Sequence, residues 1–381
     1  MSNSKSTLIV KEVTTKKELR KFVNFPMQLY KDVPQFVPPF YGDDLDDWNP
    51  DKNPAFMYCE AKCFLAYRDG EIVGRIGAIL SKKANEIWNK NRMRFSQVDF
   101  IDDLEVSKAL FKAVEDWAKE KGCDQVHGPL GFCDLDREGM LVEGYEHKNM
   151  FITYYNHPYY NEHLQKLGYI KDTDWIEYKI PVPEIDSREG QLLIKMSERV
   201  QSMYKIKPAV LKSRKDYGPY IKKIFELVNI CYSHLYGVVP LNDQQINRYY
   251  KKYIPLVGPD CACFVMNEEN EMVGFGLCAP SMADALKKSN GRLFPFGWIG
   301  VLKSLKTNDT LDMYLIAVKP EYQGKGVNAV ILDYFLKRAT KNHIKFALTG
   351  PQLETNSKIL GQWKMFAKEQ YKRRRCYIKD L

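Results

Sequence analysis

Apolar and polar positions alternate in two stretches of the chain in the way that predicts β-hairpins. The first runs through Cys63-Phe64, the polar turn Arg68-Asp69-Gly70 and then Glu71-Ile72-Val73-Gly74. The second runs through Cys263-Phe264, Asn267-Glu268-Glu269-Asn270 and then Glu271-Met272-Val273-Gly274, 200 residues later. In each, the departing strand carries a Val and an interior Gly.

Further along each half the period changes from two to that of a helix, predicting a strand, a helix of about five turns and a strand ending in Gly-Pro. In the first half these are Arg94 to Ile101, Glu105 to Gly122 with Leu110, Val114 and Trp117 on one face, and Gln125-Val126-His127-Gly128-Pro129. In the second they are Leu311 to Val318, Gly326 to Lys341, and Phe346-Ala347-Leu348-Thr349-Gly350-Pro351. This order and length make a right-handed βαβ unit. The same succession twice implies duplication, with about 22 extra residues between Ala279 and Leu311 in the second copy. The predicted fold class is α/β, two tandem domains each with a mixed sheet and helices on both faces. The expected division is a first domain over 1–180, a connecting helix over 181–204 marked by Pro181-Val182-Pro183, and a second domain over 205–381.

Composition adds limits. A chain of 381 residues with 45% apolar and 28% charged positions is that of a globular protein with a sizeable core. The net charge of +9 is dispersed among 48 acidic residues, so a nucleic-acid partner is not indicated. Nine cysteines, an odd number, give no disulfide framework; the thiols read as reduced and the protein as cytoplasmic. The most apolar stretch, Leu293 to Leu302, is short and interrupted by Gly, so no membrane span and no membrane partner is expected. No metal site is expected: Cys59-x-x-x-Cys63 and Cys261-x-Cys263 lack a second pair of ligands. Asp134-x-Asp136-x-Glu138 imitates a calcium loop, but Tyr145 stands where its bidentate Glu belongs.

The strongest chemical signal lies after the second-half strand. Pro320 ends the strand, Gln323-Gly324-Lys325-Gly326-Val327-Asn328 forms a loop, and a helix opens from it. Glycines let a backbone turn tightly and point amide N–H groups at an anion, and the positive end of the following helix adds to the attraction. The first half offers Asp102-Asp103-Leu104-Glu105 at the same place, where carboxylates would repel a phosphate. Near the C-terminus, Tyr371-Lys-Arg-Arg-Arg-Cys-Tyr-Ile378 alternates as a strand, read as a solvated edge or as a basic wall for an acidic ligand.

The strand, loop and helix of the second half resemble the GNAT acyltransferase superfamily, whose phosphate loop reads Gln/Arg-x-x-Gly-x-Gly/Ala. Gln323 to Gly326 fit this pattern, and Asn328 departs from it at the sixth position. Shorter matches across nearly all the chain, among them Gly128-Pro129-Leu130 and Tyr159-Tyr160, resemble bacterial proteins built as two GNAT domains. The resemblance implies acetyl-CoA or another acyl-CoA as cofactor. It would be held by Ile316, Ala317 and Val318 along its pantetheine arm, by Gln323, Gly324, Lys325, Gly326, Val327 and Asn328 at its pyrophosphate, and by Asn356. Asn356 also suits a helix N-cap. Where many members carry a Tyr general acid, this chain has Trp363, which is no acid.

The implied reaction is acyl transfer, most simply acetyl, from coenzyme A to the amine of a small molecule or peptide, with Glu354 and Tyr314 as candidates for the base. Two other readings stay open. One is a non-catalytic acyl-CoA sensor, which Asn328 and Trp363 would permit. The other is an aminoacyl-tRNA-dependent transferase of the tandem type, which the positive charge would help.

Overall fold

The computed structural model describes residues 7–363, 366 and 370–381. The chain divides into two units, and neither is continuous in sequence. The first takes Met1–Ile176, Ala283–Trp298 and Lys372–Leu381, and the second takes Glu177–Met282 and Ile299–Tyr371.

The elements begin with β1 (Leu8–Glu12), α1 (Lys16–Leu29), α2 (Tyr41–Asp47), β2 (Cys59–Arg68), β3 (Glu71–Ser81), α3 (Lys82–Trp88) and β4 (Arg92–Phe100). They continue with α4 (Leu104–Glu120), β5 (Gln125–Gly128), β6 (Met140–Glu143), α5 (Tyr159–Lys166), β7 (Ile170–Pro181), α6 (Arg188–Tyr204) and β8 (Lys207–Pro208). Next come α7 (Gly218–Tyr232), α8 (Asp243–Tyr253), β9 (Ala262–Met266), β10 (Met272–Pro280), α9 (Ala283–Ser289), α10 (Gly297–Ser304) and β11 (Thr310–Val318). The last are α11 (Val327–Lys341), β12 (Phe346–Thr349), β13 (Gln352–Leu353), α12 (Ser357–Trp363) and β14 (Gln370–Asp380). Both hairpins and both βαβ units stand where the periodicity put them.

The first unit has the sheet order β1-β2-β3-β4-β5-β14, with β6 also pairing with β14. Its helix α4 carries β4 into the parallel β5 and buries Val106, Leu110, Phe111, Val114 and Trp117 beneath it. Asp103 caps that helix by accepting from the Glu105 N–H at 2.9 Å. Arg68 pairs with both Asp103 and Glu105, and His163 Nε2 stands 3.1 Å from an Asp102 oxygen. The acidic loop thus starts a helix, where carboxylates suit the positive end of the dipole, and bases face it from two sides.

The basic run near the C-terminus is not a solvated edge. Strand β14 pairs antiparallel with β5 through Tyr377↔Gly128 and with β6 through Arg374↔Leu141. Its two faces are neutralised differently. Arg373 and Arg375 both reach Asp174, at 3.1 and 2.8 Å, and Asp174 is 1% exposed. On the other face Lys372 and Arg374 are fully buried and donate to the carbonyls of Lys148 and Tyr154. The run is a structural strand with its charge answered internally, so it offers no basic wall.

The second unit has the order β7-β12-β11-β10-β9-β8, in which the end of β7, Lys179 to Pro181, pairs with β12. Its core gathers Tyr217, Ile224, Phe264, Phe275, Val330 and Ile331 between sheet and helices. The expected connecting helix, α6, packs into this unit: Leu193 buries itself against Ala329 and Leu336 of α11. The extra residues of the second half form α9 and α10. Helix α9 and the turn after it belong to the first unit, where Lys287 donates to the Val33 carbonyl at 2.7 Å and Gly291 accepts from the Tyr41 N–H at 2.9 Å. All nine cysteines are free and buried. Among the described residues, no helix is long and apolar enough to cross a membrane.

Asp174 is the point at which the C-terminal strand can be tested. Asp174→Asn leaves two guanidinium groups without their buried counter-charge and is expected to cost about 3 kcal/mol. Denaturant unfolding of the full chain should show this as a lower midpoint at unchanged slope.

Candidate functional site

Strand β11 lies between β10 and β12, and both partnerships change at one residue. The parallel pairing with β12 runs from Thr310↔Phe346 to Met313↔Thr349, with the Gly350 N–H closing it on the Met313 carbonyl at 3.0 Å. Against β10 the register passes from Cys278↔Met313 to Leu277↔Leu315, so Tyr314 is an extra residue with no opposite number. Such a bulge bends and twists its strand. Beyond it, β11 continues past its last β12 partner.

The hydrogen-bond alternation then decides which backbone groups face away from β10. Lys319 donates to Val273 across an opposed pair at 2.9 Å, so Ala317 is likewise turned toward β10, and Ile316 and Val318 are turned outward. The Ile316 carbonyl accepts from the Tyr232 hydroxyl at 3.0 Å, and the Val318 carbonyl from Cys231 Sγ at 3.2 Å and Gln323 Nε2 at 3.1 Å. Of the three residues expected along the strand, Ile316 and Val318 keep outward N–H groups, and Ala317 spends its backbone on β10.

At the end of β11 the chain makes one 3-10 turn over Pro320–Tyr322 and enters the glycine loop. Gly324 and Gly326 take φ of +75° and +83°, a region costly for side-chain-bearing residues. Gly326 is the N-cap of α11 and supplies no side chain, and no acidic residue stands in the first turn. Within that turn the Ala329 N–H donates to the Gly326 carbonyl at 2.9 Å, and the Val327 and Asn328 N–H groups receive no capping side chain from Gly326. The two glycines differ in their surroundings: a Cβ on Gly324 would meet open space, and one on Gly326 would stand 2.9 Å from Val200 of α6.

Side chains in the loop are also placed. Gln323 is exposed and braced to the Val318 carbonyl, with Lys358 Nζ 3.4 Å from its oxygen. Lys325 is exposed, its ammonium over the rings of Tyr204 and Tyr322 at 5.3 and 5.2 Å. Val327 is buried in the core, so only its backbone belongs to the loop surface. Asn328, the departure from the family pattern, donates to Gln362 of α12 at 3.4 Å and so ties the two helices together. Asn356 caps α12, its side-chain oxygen 3.3 Å from the Ile359 N.

Of the two candidate bases, burial, and after it the Asp312 carboxylate, pushes the Tyr314 phenol well above its usual range, so it holds its proton at neutral pH. Glu354 lies half-buried on the link from β13 to α12. Trp363 is 2% exposed, and its indole N–H donates to Gln352 at 2.8 Å.

Sequence reading missed what Trp363 does. Together with Leu311 and Met313 of β11, Ala347 of β12 and Phe335 and Ala339 of α11, it lines a cavity of about 60 Å³ whose lining is apolar throughout. Only the dispersed spacing of these residues encodes it. A second unforeseen group lies in the first unit, where His127, Asp172 and Cys376 bring ligand-type atoms within 4.8 Å of one another. Burial, then Arg94 and Arg92, hold that imidazole well below its usual range.

In the second unit a mixed sheet thus opens at a bulged strand and is followed by a glycine turn into a helix. Residues 221–358 match the model of the Acetyltransferase (GNAT) family. It is similar to Protein YghO of Escherichia coli (strain K12), with 27% identity over 379 residues, 98% of this chain and 95% of that one. It is also similar to the bacterial ceramide synthase of Caulobacter vibrioides (strain NA1000 / CB15N), with 24% identity over 348 residues, 89% and 88% of the two chains. Among solved structures, a tandem GNAT protein from the clavulanic acid biosynthesis pathway superposes with a TM-score of 0.56 at 11% identity over 98% of both chains.

The two glycines separate fold from surface. Gly326→Ala should destabilise the chain by about 2 kcal/mol, through left-handed strain and the Val200 contact. Gly324→Ala should cost only the strain, about 1 kcal/mol. Thermal unfolding of both variants checks the order.

Proposed function

We propose that the chain is an acyl-CoA-dependent N-acyltransferase whose donor binds at the second unit. The observation that carries this reading is the glycine loop at the start of α11, where the helix begins without a side-chain cap and without a carboxylate in its first turn, leaving the Val327 and Asn328 N–H groups for an anion. Coenzyme A would bring the acyl group as a thioester, activated toward attack by an amine. The residues that would hold it are Gln323 to Gly326 and the first turn of α11 at the pyrophosphate, with the outward N–H groups of Ile316 and Val318 along the arm. In the reaction the amine nitrogen bonds to the carbonyl carbon, the C–S bond breaks, the amine gives up a proton, and the departing thiolate takes one. Tyr314, kept protonated by burial and the Asp312 carboxylate, does not serve as the base.

Two observations favour an acyl group longer than acetyl. The apolar cavity borders β11 at Leu311 and Met313, on the approach to the bulge, and has room for about four or five water-sized groups. The 24% identical relative is named a bacterial ceramide synthase. Trp363 serves as a wall of this cavity, which accounts for an indole where a phenol is common.

Calorimetry on the full chain should give one coenzyme A per chain, and Gly324→Glu, a change into open space that sets a carboxylate at the loop, should weaken it roughly tenfold or more. No binding by the unaltered chain would overturn the reading. Binding without turnover on any amine would make the protein a sensor. Across a series of acyl-CoA donors, affinity should rise from acetyl to medium chain length. Ala339→Leu, which fills the cavity, should remove that rise and leave acetyl-CoA binding unchanged.

A further inference from the structure

The segment from Leu293 to Leu302 is too short to span a membrane, and the acyl-transfer reading does not use it. Its exposure is unusual. Phe294 is 80% exposed, Phe296 74%, Ile299 and Leu302 50% each and Trp298 44%. Surface apolar residues scattered singly need no explanation, but five large ones within nine positions form a patch.

The segment is held in this form by its own backbone. The Trp298 N–H donates to the Leu293 carbonyl at 2.9 Å and its indole N–H to the Pro295 carbonyl at 3.1 Å. A Cβ at Gly297 would stand 1.9 Å from the Arg292 carbonyl, so only glycine permits the turn. Below it, Arg292 is fixed by Asn24 at 2.7 Å and by the Tyr41 ring at 4.3 Å, and Val301 of α10 is buried. The aromatic residues are thus displayed on a braced base.

Charge completes the pattern. From Ala285 to Asn308 there is no acidic residue, and Lys288, Lys303 and Lys306 are exposed. A turn with two exposed Phe leading into a short helix that shows Trp, Ile and Leu, flanked by lysines and too short to span, has the character of an element that lies in the headgroup region of a bilayer. A second copy of the chain suits the patch less well: five side chains about half exposed offer roughly 500 Å², against ~800 Å² per partner in a stable dimer.

We propose that residues 294–306 dock the protein on an anionic lipid surface, with Phe294, Phe296 and Trp298 entering the headgroup region and Lys303 and Lys306 meeting lipid phosphates. This is independent of the acyl-transfer reading, since it concerns a different surface and needs no turnover.

The test is sedimentation of the full chain with vesicles of phosphatidylcholine alone or mixed with phosphatidylglycerol. The protein should sediment with the mixed vesicles at low salt and be released as salt rises. Both Phe294→Ser/Phe296→Ser and Lys303→Glu/Lys306→Glu should weaken binding roughly tenfold; as both pairs are exposed, coenzyme A affinity and melting temperature should stay unchanged. The proposal is overturned if the unaltered chain stays in the supernatant, or if the Phe double variant binds as tightly as the unaltered chain. It is also overturned if light scattering shows a dimer that the Phe variant abolishes while vesicle binding is absent.

Discussion

One extra residue in a strand shapes the second unit. A strand can satisfy both neighbours only while its residues keep step with theirs, and Tyr314 takes β11 out of step with β10 at the point where its pairing with β12 ends. Past that point, among the described residues, the outward backbone groups of β11 have no strand to answer them. They must find other partners, and part of the demand is met by Tyr232, Cys231 and Gln323. The glycine loop, the apolar cavity and the start of α11 all border this opening, so the bulge determines where a long donor could lie. The first unit repeats the device with a register shift between Arg75 and Gly77 on β3 against β4, where Gln97 takes a φ of +41°. There the neighbouring residues close into a network: Asp99 is held by Arg75 at 2.7 Å and Tyr30 at 2.8 Å, and Tyr30 meets Tyr160 at 2.8 Å. The duplicated architecture was kept in both halves, and in the first the opening is occupied by protein.

Much of this was legible in the sequence because it is local. The helix over 326–341 and the helix over 105–122 are set by their apolar spacing, and the glycine loop by residue types that few other turns require. The tight turn expected of Gly324 and Gly326 is met by their positive φ of +75° and +83°. What could not be read is what depends on distant partners. The alternation of Arg and Lys in β14 looks the same whether water or Asp174 neutralises it, and only the 3D pairing distinguishes a solvated edge from an internal strand. The orientation of Ala317 follows from a bond between Lys319 and Val273, which no spacing reveals. Trp363 read as a missing acid because its neighbours in the cavity come from five separate elements.

Burial of charge is treated alike throughout the first unit. Arg75 with Asp99, Arg374 with a carbonyl and the Asp174 cluster all place charges deep in the structure, each with a directed partner. Isolated, any of these would be costly; paired, they fix which strand lies beside which more strictly than apolar contacts do. This matters most for a repeated fold, in which two sheets of similar pattern could exchange strands.

The division of β14 from the residues it completes also orders events during synthesis. Residues 8–176 supply β1 to β5, but the strand that pairs with β5 comes from residues 377–380, after the whole second unit has been made. On the ribosome the N-terminal half must therefore wait with the open side of β5 unpaired, an edge of the kind that invites wrong pairing. At roughly 5–20 residues per second the wait is on the order of ten seconds or longer. The second unit, though it begins later in the chain, has β7 to β13 synthesised before the strand that completes the first unit's sheet.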